Sequence, residues 1–333
     1  MQPILEIKNL QVGVDTGKSV QSVLDGVSLQ LFPGKTLGVV GESGCGKSMT
    51  ALATMGLLPD RFSVTGGSII LAGEDLLAAK PSRLRQLRGN ALSMIFQEPM
   101  TALNPVLTVE RQITEVIELH QKKSSAEARE IALEMLRAVQ IPGPEERLIA
   151  YPHELSGGMR QRVMIAIALA CRPKVIIADE PTTALDVTVQ AQIFRLLRDL
   201  QMQTETAIML ITHDLGAVAE MADDVAVLYA GKCVESGTVE AILGAPAHPY
   251  TRGLMSCTPR LRLGAAANDP QAEGLGEIPG MVPPLGRFPK ACRFAPRCAL
   301  ADARCHAEQP PLVDTAPGHS ALCWKTSPEK AVA

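Results

Sequence analysis

Residues 41–48, Gly-Glu-Ser-Gly-Cys-Gly-Lys-Ser, fit the pattern G-x-x-x-x-G-K-[ST], and their flanks fit it as well. Leu37-Gly38-Val39-Val40 is a short apolar run of strand type, and Met49-Thr50-Ala51-Leu52-Ala53 reads as helix. That strand–loop–helix frame is what gives the pattern its meaning. Glycines let successive backbone N–H groups turn inward as an anion nest, and the following helix presents the positive end of its dipole to phosphates. Lys47 is expected to reach the β- and γ-phosphates, and Ser48 to hold Mg²⁺. Cys45, beside a helix N-terminus, is expected to have a depressed thiol pKa and raised reactivity.

The 333 residues suffice for one large domain plus an appendage, and 46% of them are hydrophobic. Net charge is −3 and aromatics make up only 3%, so the chain has neither the basic footprint nor the stacking platforms of a nucleic-acid binder. The opening residues, Met1-Gln2-Pro3-Ile4-Leu5-Glu6, lack the basic and apolar regions of a secretory signal. No apolar run approaches the roughly 20 residues that span a bilayer. A cytosolic chain is expected, with any membrane role exerted through partners.

Ile4 to Leu31 shows two apolar alternations separated by Asp15-Thr16-Gly17-Lys18-Ser19, the pattern of paired strands, and a further strand is expected near Thr65–Gly73. Met94-Ile95-Phe96-Gln97-Glu98-Pro99 delivers a neutral amide at a strand end, where Gln97 is a candidate to reach a metal or an attacking water. Val109 to about Gln140 has helical spacing and reads as a helical insertion. In Leu155-Ser156-Gly157-Gly158-Met159-Arg160-Gln161-Arg162, Ser156 suits an N-cap and two glycines leave N–H groups open ahead of an apolar helix. The phosphate site formed there is a second one, which suggests that it serves a nucleotide held by another subunit.

Val175-Ile176-Ile177-Ala178 is a buried-type strand that ends in Asp179 and Glu180. Alternation on a strand forbids the two carboxylates one job: Asp179 suits the Mg²⁺ shell, and Glu180 suits polarising the attacking water. Ala207–Thr212 is another apolar strand, followed by His213 as a candidate γ-phosphate contact.

Taken together, these motifs resemble the ATPase subunits of ABC transporters over residues 1 to about 245. Gly41–Ser48 corresponds to the Walker A loop, Gln97 to the Q-loop, Leu155–Gln161 to the signature, Val175–Glu180 to Walker B, Ala184-Leu185-Asp186 to the D-loop and His213 to the H-loop. The strings Phe96–Pro105, Ala178–Asp186 and His248-Pro249-Tyr250-Thr251-Arg252-Gly253-Leu254 look like the dipeptide, oligopeptide and nickel importer branch. The resemblance implies a RecA-like P-loop α/β core with an antiparallel β subdomain and a helical subdomain near 100–165, within an ATPase domain of residues 1–260. ATP would contact Gly41, Ser43, Gly44, Cys45, Gly46, Lys47, Ser48, Met49 and Asp179, with Mg²⁺ on Ser48 and Gln97 and with Glu180, His213 and Gln97 in catalysis. A second ATPase subunit, expected to be a paralogue, would pair head to tail, its ATP covered by Ser156, Gly157, Gly158 and Gln161, with Asp186 in the D-loop. Two membrane permease subunits and an extracytoplasmic solute-binding protein complete the implied assembly, on the cytoplasmic side of the inner membrane and without nucleic acid. One departure stands out: Val14 occupies the place where the family carries an aromatic for adenine.

Residues 261–333 change character, with Gly264-Ala265-Ala266-Ala267 and then five prolines between 279 and 296. The expected organisation is a linker and a small irregular module without a sufficient core. Cys292, Cys298, Cys305 and Cys323 crowd into it with spacing C-x5-C-x6-C-x17-C. Clustered cysteines in a reducing compartment suggest metal, and the absence of a tight C-x2–4-C knuckle favours a four-iron cluster over zinc. The family resemblance agrees, implying a [4Fe-4S] site on these four cysteines.

Overall fold

The computed structural model describes residues 1–182, 187–257 and 277–326, with the backbone alone at 99 and 100. The chain opens on a hairpin, β1 (Leu5–Asp15) and β2 (Val20–Leu31), whose polar turn is closed by Thr16 and Ser19. Next come β3 (Thr36–Val40), α1 (Lys47–Met55), β4 (Phe62–Leu71), the short β5 (Glu74–Asp75), α2 (Pro81–Leu87) and β6 (Leu92–Ile95). A helical block follows: α3 (Pro99–Ala102), α4 (Val109–Gln121), α5 (Ser125–Ala138), α6 (Pro144–Leu148) and α7 (Gly157–Leu169). Strands and helices then alternate through β7 (Val175–Asp179), α8 (Val187–Thr204), β8 (Ala207–Ile211), α9 (Leu215–Met221) and β9 (Asp224–Tyr229). The last elements are β10 (Lys232–Thr238), α10 (Val239–Gly244), α11 (Pro249–Ser256), α12 (Ala303–Ala307), β11 (Leu312–Ala316) and β12 (His319–Leu322).

Two sheets form among the described residues. One is antiparallel, in the order β2-β1-β4-β5, and the other has eight strands in the order β11-β12-β10-β9-β3-β8-β7-β6. Within the larger sheet β6, β7, β8, β3 and β9 run parallel, so β3, β7 and β8 are covered on both faces and buried at every residue. This is why their sequences are unbroken apolar runs rather than alternations.

The helical stretch expected from Val109 to about Gln140 consists of two helices, α4 and α5. Lys122 adopts φ 53° after α4, and Ser124 then opens α5 with a reciprocal capping box to Glu127. Three apolar clusters hold the layers together. One joins α4, α5 and α7 to the sheet through Ile113, Ile117, Leu136 and Val163. A second lies between the two sheets around Leu5, Ile7, Val39 and Ile69. Full burial of each such side chain contributes about 1.5–3 kcal/mol.

The third cluster corrects the picture of the C-terminal segment as merely irregular. Phe294 packs among Tyr229, Tyr250 and Val227, with ring centroids 5.2 Å from Tyr229 and 5.4 Å from Tyr250. β11 and β12 form a hairpin whose β12 pairs antiparallel with β10, extending the core sheet. His319 of that hairpin meets the buried Glu235 of β10 at 2.7 Å. The linker expected at Gly264–Ala267 lies outside the described residues. No helix among the described residues is long and apolar enough to cross a membrane.

Candidate nucleotide site

The phosphate loop sits where β3 gives way to α1. Gly41 has φ 151°, and a Cβ there would lie 2.2 Å from the Leu228 carbonyl oxygen, so no other residue fits between β3 and β9. Gly46 caps α1 at φ 110°, and Ser43 and Gly44 are exposed. Lys47 is 6% exposed and donates from Nζ to the carbonyls of Gly41 at 2.7 Å and Glu42 at 3.1 Å. Met49 is half-buried and leans on the inter-sheet core.

Cys45 does not behave as its position suggested. It is fully buried, and desolvation raises its thiol pKa more than Lys47 lowers it. Proximity to a helix N-terminus loses here to the absence of water.

Ser48 Oγ lies 3.2 Å from Asp179 Oδ1, which brings the loop and the end of β7 together. Burial raises the Asp179 pKa, and Glu180 adds to the rise against the opposing pull of Ser48 and Lys47. A buried carboxylate beside a hydroxyl is a suitable oxygen donor set for Mg²⁺. Glu180 leaves the strand at φ 47°, a conformation that costs a non-glycine residue of order 1–3 kcal/mol. In that position Oε2 accepts from Gln97 Nε2 at 3.0 Å and Oε1 lies 3.1 Å from His213 Nδ1. Three residues picked out separately in the sequence therefore form one hydrogen-bonded unit, while Gln97 bonds to Glu180 rather than to Ser48 or Asp179.

At the other helix N-terminus Ser156 accepts from Met159 N, and both Ser156 and Gly157 are exposed. A Cβ on Gly157 would meet nothing within 4 Å, so packing among the described residues does not explain the glycine. Gln161 departs from the outward role expected of it: it is 2% exposed and donates to the Pro181 carbonyl, tying α7 to the stretch after Glu180. Asp186 lies outside the described residues. Val14 is half-buried, and β4 places Phe62 directly across from it.

Sequence reasoning missed a set of residues that hold the loop from behind. Glu42 N donates to Tyr250 Oη at 2.8 Å, and the Glu42 carboxylate pairs with Arg297. His248-Pro249-Tyr250 had been singled out only as a resemblance, and a contact spanning 255 positions leaves no local signal.

Cys292, Cys298, Cys305 and Cys323 line one small cavity together with His248, Phe294 and Trp324. Burial raises the thiol pKa of Cys292, Cys298 and Cys323. Among the described residues, however, no group of three or more His, Cys, Asp or Glu side chains is arranged to hold a metal ion.

The ABC transporter family model matches residues 24–183, and the model for the oligopeptide/dipeptide transporter C-terminal region matches residues 234–305. A probable peptide ABC transporter ATP-binding protein of Sinorhizobium fredii is 50% identical, covering 97% of this chain and 95% of that protein. The dipeptide transport ATP-binding protein DppD of Bacillus subtilis is 48% identical, covering 97% and 95%. Among solved structures, a dimeric ATP-binding cassette in a post-hydrolysis state with ADP and Pi superposes with a TM-score of 0.64 at 26% identity, covering 71% of this chain and 98% of that one.

Proposed function

The chain belongs to the ABC transporter ATPases, among the ATP-binding subunits of peptide importers, and we propose that its ATP hydrolysis powers uptake of di- or oligopeptides. The observation that carries this reading is the Gln97–Glu180–His213 unit set beside Ser48 and Asp179, in a chain whose similarity to peptide-import ATPases runs nearly end to end. Nickel chelates, glutathione and opine-like solutes remain the alternative cargo, since selectivity resides in the binding protein and permease.

Lys47 would bind the β- and γ-phosphates, and Gly41, Ser43, Gly44, Cys45, Gly46 and Met49 shape the cradle through the backbone of the loop and the start of α1. Ser48 and Asp179 would hold Mg²⁺, which when bound neutralises charge that builds on the phosphate oxygens. Glu180 accepts a proton from the attacking water through its carboxylate, while Gln97 and His213 keep that carboxylate aimed. Exposed Ser156 and Gly157, with half-buried Gly158, supply N–H groups to the nucleotide of a second ATPase subunit, proposed to be a paralogue, with Gln161 bracing them from below and Asp186 at the same junction. Closure of the two subunits on ATP and reopening after hydrolysis would drive two permease subunits fed by an extracytoplasmic binding protein. The chain would then sit peripherally on the cytoplasmic face.

For residues 261–333 we read a cluster-binding extension, with Cys292, Cys298, Cys305 and Cys323 as thiolate ligands of a [4Fe-4S] centre. Support comes from the convergence of all four on one cavity. Copurification from membranes tests the functional reading: permease subunits should accompany the chain. Nucleic acid in their place would mark a soluble ABC protein of another class.

A further inference from the structure

Glu42 is the second residue of the phosphate loop, and its polar groups are tied to α11, to Lys47 and, through the carboxylate, to the C-terminal segment. Its N–H donates to Tyr250 Oη at 2.8 Å, and its carbonyl accepts from Lys47 Nζ at 3.1 Å. Its carboxylate takes two bonds from Arg297, Nη1 to Oε2 at 2.7 Å and Nη2 to Oε1 at 3.0 Å. The Arg297 side chain is 4% exposed, and its Nε is spent on the Pro279 carbonyl at 2.8 Å. Nη1 also lies 3.5 Å from Tyr229 Oη. A buried guanidinium with two parallel bonds to one carboxylate is both a charge neutraliser and a rigid bracket. Four residues earlier, Arg293 makes a second tie, to Asp25 at 2.6 Å and to the Ala230 carbonyl.

We propose that Arg297 is a positioning residue for the ATP site. Through its two-point pair it neutralises Glu42 and fixes the loop from which Lys47 is aimed, so the C-terminal segment sets nucleotide affinity. This rests on the reading above that ATP binds at Lys47. An unpaired carboxylate at loop position 42 would repel the incoming phosphates, and the Glu42 carbonyl that bonds Lys47 would lose its support. The Arg297 nitrogens bond Glu42, Tyr229 and the carbonyls of Pro279 and Ile278, apart from the Gln97–Glu180–His213 unit, so its removal should weaken binding and leave the chemical step alone.

The test measures ATP affinity of the full chain with a fluorescent ATP analogue, and KM and kcat in the assembled transporter. Arg297→Gln should weaken binding and raise KM about tenfold, with kcat within about twofold. Arg297→Lys, which keeps the charge and loses the fork, should fall between that variant and the parent. Glu42→Gln combined with Arg297→Gln should bind ATP more tightly than Arg297→Gln alone, because the second change removes the uncompensated carboxylate. Unchanged affinity in Arg297→Gln overturns the proposal. Equal loss in the single and double variants also overturns it, since that outcome marks a purely structural role. Lys47→Ala separates the two readings: if the parent binds no more ATP than Lys47→Ala, the nucleotide site itself is wrong.

Discussion

Gln97 Nε2 donates to Glu180 Oε2 at 3.0 Å, across 83 positions of sequence. Gln97 lies on the loop from β6 into the helical block, and Glu180 follows β7 in the core sheet. A shift of the helical block relative to the sheet therefore acts directly on the carboxylate proposed to activate water. Membrane subunits that dock near this loop would have a mechanical route to the chemistry.

Glu180→Gln tests the role of that carboxylate. The amide preserves size and still bonds Gln97, but it accepts no proton, so hydrolysis should fall by about 10²–10⁴. ATP binding should persist because Lys47, Ser48 and Asp179 are untouched, and the variant should accumulate as a closed dimer. Turnover within about threefold of the parent would remove Glu180 from the role of base.

Cys45 should resist alkylation in the folded chain with or without ATP, because it is buried and its thiolate is disfavoured. Cys257 is exposed and provides the internal control. Mass-spectrometric mapping after brief maleimide treatment should find label on Cys257 and none on Cys45 until the protein is denatured. Rapid labelling of Cys45 in the native chain would contradict the packing of the loop against β9.

His248 should make the fold acid-sensitive. It caps α11 by accepting from Tyr250 N at 3.0 Å, and burial, with Arg252 adding, lowers its pKa from 6.5 to about 3. The unfolded chain therefore takes up a proton on this ring below pH 6.5 that the native chain refuses. Stability is unaffected above that value and falls by about 1.4 kcal/mol per pH unit below it, until the native ring itself titrates. His248→Asn keeps a capping oxygen. Urea unfolding at pH 7.5 and 5.5 should show a smaller acid loss in the variant, with Glu235, His319 and Arg252 common to both proteins; equal losses would contradict the assignment.

Chain purified without oxygen should be brown, with about four iron atoms and a broad absorption near 400 nm. Cys298→Ser should bleach it and increase protease cleavage after residue 277. Stoichiometric zinc without iron would replace the cluster assignment, and colourless, metal-free protein would leave four free thiols.

Much of the candidate site's local structure was legible because each part is local. The loop at 41–48 lies between its own strand and helix, and the runs before Asp179 and His213 are unbroken because parallel strands are covered on both faces. Ser156 was readable as a cap because capping acts over three residues. The C-terminal hairpin was not readable, since β11 alternates between half-buried and exposed residues and gains its place only by pairing β12 with β10. Glu42 with Arg297 and Glu235 with His319 were invisible for a different reason: a charge in sequence looks solvated until its partner is known. Cys45 shows the converse, where a local rule about helix ends yielded to burial.

The most direct measurement is uptake of a labelled dipeptide by proteoliposomes that hold the permease subunits, both ATPase subunits and peptide-loaded binding protein. The account predicts uptake that requires ATP, is accompanied by phosphate release, and disappears with Glu180→Gln in this chain. Uptake at the parental rate with Glu180→Gln, or ATP hydrolysis by the full assembly that moves no peptide, would contradict it.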